Sequence, residues 1–201
     1  MRGKRWPGLF VAGTAVVTLV GGCGELPTDE PVASRNESTS STDSEIESME
    51  SAAEAGGICE LLDFGPLSDA TGDGFSIARA GGEGEVTSCV VMTLTGSFPD
   101  VTLTKARTAT DVDTYRAEIP PEKADDVDDL GKAAYSALRK AIDGSGPIVE
   151  IGWLTDGHMY SLRYTSAEGS EKETVRETVD ALVEIARTAD ELAAAEDDAE
   201  K

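Results

Sequence analysis

The chain has 201 residues, with 39 acidic side chains against 17 basic ones and a formal net charge of −22. That length accommodates one domain with accessory segments. The acid excess excludes a phosphate-binding surface, because nucleic-acid affinity rests on Lys and Arg neutralising the backbone. No apolar run beyond the N-terminus reaches the roughly 20 residues that a bilayer-spanning helix needs.

The first segment reads as an address. Arg2, Lys4 and Arg5 precede a 12-residue apolar run, Leu9 to Val20, and then Gly21, Gly22 and Cys23. A basic start, a short apolar stretch and small residues before a cleavage point make a secretory signal over residues 1–22. The sequence Val20-Gly21-Gly22-Cys23 also resembles a bacterial lipobox. In such signals the Cys is acylated and becomes the new N-terminus, so Cys23 is the expected lipidation site. Several acyl chains together give stable anchoring where one does not. The expected location is the extracytoplasmic face of the cell membrane, a compartment that permits disulfides. With Cys23 acylated, only Cys59 and Cys89 remain. They are read as a disulfide, with a free thiol pair as the alternative.

Residues 24–57 contain nine acidic residues, one basic residue and no aromatics. Such a stretch cannot bury enough apolar surface to offset its ordering entropy, so 23–57 is expected to be a disordered, lipid-anchored linker. As a flexible coil it would reach about 30 Å. Its Ser38–Ser44 cluster is read as plain solvated linker, with glycosylation as the alternative.

The folded domain is expected over 58–192, followed by a charged tail at 193–201. Cys59-Glu60-Leu61-Leu62 opens a short element, and Pro66–Thr71 reads as a helical turn stopped by Gly72. Phe75–Arg79 suggests a short strand, Gly81–Gly84 a turn, and Val86–Thr95 a β-rich run. Val101–Thr108 alternates as a half-buried strand does, and Phe98-Pro99-Asp100 between these two runs predicts a hairpin. Residues 128–142 read as a helix, with Ala134, Leu138, Ala141 and Ile142 on one face and Asp143-Gly144 as its stop. Asp125, Asp126, Asp128 and Asp129 would lie at its start, where the helix dipole favours them.

Ile148–Leu154 and His158–Thr165 flank Asp156-Gly157, a hairpin signal. Alternation places Val149, Ile151 and Trp153 on one face of the first strand, and Tyr160, Leu162 and Tyr164 on one face of the second. Ser170–Glu173 has capping-box spacing. It introduces a helix over 171–192 whose apolar stripe is Val175, Val179, Leu182, Val183, Ala186 and Ala189. The expected fold class is α+β: an antiparallel sheet covered on one face by the C-terminal helix and shorter helices, with one disulfide.

Taken together, these segments resemble an actinobacterial lipoprotein family, domain-of-unknown-function family 3558. The resemblance rests on the Cys23 lipobox, the acidic linker, Cys59-Glu60-Leu61-Leu62, Cys89, Leu130-Gly131-Lys132-Ala133-Ala134, the 148–165 hairpin and the C-terminal helix. Family members often carry an aromatic two residues past the second Cys, where this chain has Val91. The resemblance implies an envelope location and an α+β domain, and no established activity.

Residues for chemistry are few. There is no G-x-S-x-G elbow, and the only histidine, His158, follows the hairpin turn, where an exposed polar residue is expected. One histidine and a committed cysteine pair leave no zinc site. Asp69-Ala70-Thr71-Gly72-Asp73-Gly74 begins like a calcium loop, but Ala80 stands where the bidentate Glu belongs. The Asp125–Asp129 cluster is read as a solvated helix start, with weak divalent binding as the alternative. Ala80–Gly84 lacks the lysine of a phosphate loop. No catalytic residue, metal or cofactor is assigned. The expected function is a non-catalytic module that binds an envelope ligand or protein, with Trp153, Tyr160 and Tyr164 as the candidate ligand-binding aromatics. The alternatives are a carrier of a lipid or other hydrophobic ligand, and a carboxylate-dependent envelope hydrolase.

Overall fold

The computed structural model describes residues 49–199. The expected signal, Cys23 and the linker through residue 48 lie outside them. Order begins earlier than the expected domain start at Ile58. The Met49 backbone N–H donates to the Ser76 carbonyl at 2.8 Å, and a 3-10 turn at Ala52–Ala55 buries Ala52 completely. The linker boundary at residue 57 is therefore corrected towards the N-terminus. Small side chains allow this, because Ala52 fits where a larger residue would clash.

A second 3-10 turn, Gly57–Leu61, carries Cys59. Helix α1, Phe64–Thr71, follows; the Asp63 carboxylate accepts from the Gly65 N–H at 3.0 Å and Gly72 ends the helix in the left-handed region. Strands β1 (Ile77–Glu83), β2 (Val86–Met92) and β3 (Asp100–Arg107) then form an antiparallel meander. Of the expected Gly81–Gly84 turn, only Gly84, at φ 63, lies in the turn itself. Gly81 and Gly82 continue β1, and the reversal falls between Glu83 and Val86. The β2–β3 connection contains the expected Pro99, in a cis bond to Phe98.

Helix α2, Val112–Glu118, carries the chain across one sheet face to the short edge strand β4, Asp125–Asp126. Strands β5 (Ala133–Arg139), β6 (Ile148–Leu154) and β7 (His158–Thr165) complete a seven-stranded antiparallel sheet in the order β1-β2-β3-β7-β6-β5-β4. The β6–β7 hairpin has the predicted boundaries, with Gly157 at φ 81 in the turn.

The predicted helix over 128–142 is a strand. Residues Ala133–Ala137 are buried on both faces of the sheet, so the alternation that marks a half-buried strand is absent and the apolar run has no period of two. Pairing with β6 along its whole length outweighs the helix propensity of its alanines and Leu138. Ile142 is exposed beyond the strand end. The four aspartates consequently lie in β4 and the loop after it, not at a helix start.

The C-terminal helix is also revised. It comprises α3, Lys172–Glu177, and α4, Val179–Ala199, interrupted at Thr178, whose hydroxyl donates to the Val175 carbonyl at 2.9 Å. Ser170 does not cap it; the N-cap is Glu171, with no side-chain bond. Helix α4 continues through the expected tail, with Ala193 buried.

Alternation gives the sheet two different faces. Cys89, Val91, Val101, Leu103, Val149, Ile151, Trp153, Tyr160, Leu162 and Tyr164 form one continuous core with Leu182, Ala186 and Ala189 of α4. Each fully buried Leu or Ile there contributes on the order of 1.5–3 kcal/mol. On the other face a smaller cluster joins Tyr115 of α2 to Ala133, Tyr135 and Leu154. Gly152 makes room for it, since a Cβ there would lie 2.5 Å from the Tyr135 ring.

The Cys59–Cys89 disulfide ties the second 3-10 turn to the middle of β2, Cα to Cα 5.0 Å, and closes a separation of 30 residues. Replacing both cysteines with Ala is expected to lower unfolding stability in urea by roughly 2–5 kcal/mol. An unchanged midpoint would show that the bond adds nothing to stability.

Asp100 provides a pH-dependent prediction. It is buried, Thr102 donates to its Oδ2 at 3.0 Å, and its Oδ1 has no hydrogen-bond partner. Burial raises its pKa above the ordinary carboxylate value of 3.8, with hydrogen bonds from Thr165 and Thr102 opposing the rise. A folded-state pKa above the unfolded one means that ionised Asp100 costs stability at neutral pH, and that the cost disappears as pH falls through the raised value. Asp100→Asn is therefore expected to melt higher than the parent at pH 7, with the two curves converging below pH 3.8. A variant that melts lower at pH 7 would show that the ionised carboxylate is the stabilising form.

Candidate functional site

The three candidate aromatics are core residues. Trp153, Tyr160 and Tyr164 are 0, 2 and 5% exposed. Trp153 and Tyr160 stack at a centroid distance of 5.0 Å and 7° between planes, and the Lys105 ammonium stands 5.7 Å from the centre of the Tyr160 ring. The Trp153 indole N–H donates to Asp190 Oδ1 of α4 at 2.9 Å, and the Tyr164 hydroxyl donates to Asp73 Oδ2 at 2.7 Å. Burial, reinforced by the Asp73 bond, holds the Tyr164 phenol well above its ordinary pKa. The rings whose polar tips might have received a ligand instead pin helix α4 and the loop after α1 to the sheet. Burial leaves Trp153 and Tyr164 little surface for a ligand, while Tyr160 borders a small hollow on the face that carries α2.

The other singled-out residues are dispersed. His158 is half-buried beside Tyr160, at 6.3 Å between ring centres. Asp73, from the calcium-like stretch, is engaged by Tyr164. Among the described residues no group of three or more His, Cys, Asp or Glu is arranged to hold a metal ion. Cys23 lies outside the described residues.

On the face that carries α2, Glu150 accepts from the Tyr135 hydroxyl at 2.8 Å and from Arg139 at 2.6 Å. The Tyr115 hydroxyl beneath α2 makes no hydrogen bond and is shielded from water. Burial first, and the Glu150 charge second, push the Tyr115 pKa upward. A hollow of about 130 Å3 beside it is lined by Thr104, Met159 and Ser161. Tyr115, Tyr135 and the candidate residue Tyr160 line it as well.

A larger feature lies on the helical side. A groove of about 380 Å3 runs between α4 and the N-terminal turns, floored by Leu61, Leu62, Pro66, Ile185 and Leu192. It continues along α4 into a second hollow that shares Pro66, Ile185 and Thr188 and adds Ala70 and Ala181. Leu192 remains 45% exposed in it, among the most exposed large apolar side chains of the described residues. The rim carries Glu60 and Asp63 at one end and Asp69 and Glu184 at the other.

Each wall has a local cause. Asp63 both caps α1 and starts the wall, while the disulfide fixes the turn that presents Glu60 and Leu61. Helix α4 uses one stripe against the sheet, with Ile185 buried at its margin and Leu192 exposed beyond it. The sequence carried a usable sign of this, since both fall outside the stripe assigned to the core. Pairing them with residues 60–66 required the tertiary structure.

The chain has two tryptophans, Trp6 and Trp153, so in a variant lacking residues 1–22 fluorescence reports on this core directly. Asp190→Ala is expected to leave the indole N–H buried without a partner and to cost about 1–3 kcal/mol. Emission should remain blue-shifted and inaccessible to acrylamide in the parent. Rapid quenching there would contradict the burial of Trp153.

No family model, no curated protein and no solved structure matches this chain.

Proposed function

We propose that the protein is a non-catalytic binding module held by lipid at Cys23 on the outer face of the cytoplasmic membrane, and that the groove along α4 receives a segment of a partner protein. The observation that carries the binding role is the groove itself: a continuous apolar floor, bounded by carboxylates, that leaves Leu192 uncovered beside it. Such a patch on a soluble domain is characteristic of an interaction surface. The Cys59–Cys89 bond supports an oxidising compartment, in agreement with the signal and lipobox. The resemblance to domain-of-unknown-function family 3558 supports the same address.

A carrier of a lipid or other hydrophobic ligand stands second. The groove volume falls within the range of small-molecule sites, but its exposed floor suits a segment laid across it better than a molecule sealed from water.

Two measurements test the proposal in cells. Radiolabelled palmitate should enter the full chain and be lost in Cys23→Ala, with the variant leaving the membrane fraction; labelling that survives the substitution overturns the anchor. A photo-crosslinking amino acid placed at Leu192 should give a discrete heavier adduct in the host envelope, whereas the still more exposed position Ile142, outside the groove, should not. The same adducts from both positions would sink the groove as the binding surface.

A further inference from the structure

The chemistry of the groove specifies its occupant more closely, on the reading that the groove is the binding surface. Helix α4 carries two stripes. Leu182, Ala186, Ala189 and Ala193 face the core, and Ile185, only 9% exposed, belongs to the core as well as bordering the groove. Ala181, Ile185, Thr188 and Leu192 line the groove. Their spacing of four, three and four residues is the seam that one helix offers to another. Between Ala181 and Leu192 the helix rises about 16 Å, or three turns. Ala181 and Thr188 are small, which lets a second backbone approach to the roughly 8–10 Å of packed helices.

The rim sets the sign of the partner. Glu60, Asp63, Asp69 and Glu184 line the two hollows, and no Lys or Arg does. Glu184 is shared with Arg187; Glu60 and Asp69 make no ion pair among the described residues. We infer that the groove docks a basic amphipathic helix of about three turns from a partner protein. Its apolar side chains at i, i+3 or i+4, and i+7 would pack on Ile185, Leu192 and Pro66, and its flanking Lys or Arg would meet the carboxylates. A second copy of this chain does not fit, because the same groove would bring two acidic rims together in chains of net charge −22.

The experiment uses the full mature chain in phosphatidylcholine nanodiscs and three labelled synthetic peptides, read by fluorescence anisotropy. The first has Leu at helical spacing and Lys elsewhere, the second has Glu in place of Lys, and the third has the first composition with scrambled spacing. The Lys helix should bind at least about tenfold tighter than either control, a difference of ~1.4 kcal/mol, and salt should weaken it. Leu192→Asp should lose about tenfold in affinity although it adds a negative charge, which diffuse attraction to an acidic surface cannot produce. Glu60→Lys, at an exposed position, should shift preference towards the Glu peptide. Equal binding of the Lys and Glu helices would overturn the inference while leaving the groove reading in place. Unchanged affinity in Leu192→Asp, or no peptide binding at all, would also overturn it; the Leu192 crosslink then judges the groove reading separately.

Discussion

The pairing of β3 with β7 is the contact on which the rest of the domain depends. It joins Asp100–Arg107 to His158–Thr165 over eight consecutive partners, from Asp100 opposite Thr165 to Arg107 opposite His158. On one side lies the β1-β2-β3 meander, on the other β4 to β7. A slip of one residue would turn either Val101 and Leu103 or Leu162 and Tyr164 out of the core, and put Thr102 and Thr104 or Arg163 in their place. The register therefore fixes, at one ladder, which side of all seven strands receives α4. Everything assembled on that side follows, including the Trp153–Tyr160 stack, the Asp190 bond and the groove.

Polar groups in this fold are mostly spent on position. Asp190, Asp73 and Glu150 each accept from an aromatic side chain and hold a helix, a loop or a ring in place. Asp63 and Asp111 cap α1 and α2. A chain so rich in carboxylates places several where they satisfy buried or helix-end donors and leaves others on the surface. The groove rim draws on that second group, and its meaning comes from the apolar floor it surrounds rather than from acidity alone.

How much of this was legible in the sequence depended on whether a segment meets the same environment along its length. The β6–β7 hairpin was legible to the residue because Asp156-Gly157 marks the turn between two runs rich in β-branched and aromatic residues; all six predicted core residues are buried. The disulfide was legible because, once Cys23 is set aside as the expected lipidation site, Cys59 and Cys89 are the only cysteines left to pair. Strand β5 was not, because α2 covers one face and α4 the other, so Ala133–Ala137 shows no alternation. The glycine run misled because Gly81 and Gly82 tolerate the twisted end of β1 as readily as a turn. The candidate site was the least legible part. Trp153, Tyr160 and Tyr164 were correctly placed on one face, but whether that face is open or covered is decided by α4, distant in sequence. The groove combines residues 60–66 with 181–192, a juxtaposition no local pattern encodes.

The disulfide also determines how the domain would bear a mechanical load. Tension delivered through the chain ahead of Met49 first meets one backbone hydrogen bond to Ser76 and the small contacts of Ala52. These can peel one after another. At Cys59 the peeling stops, because the pull passes through a covalent bond into the middle of β2. There it is spread as shear across the ladders to β1 and β3, instead of opening one strand from its end. A load entering from the N-terminal side would thus meet a few yielding residues and then a covalent stop.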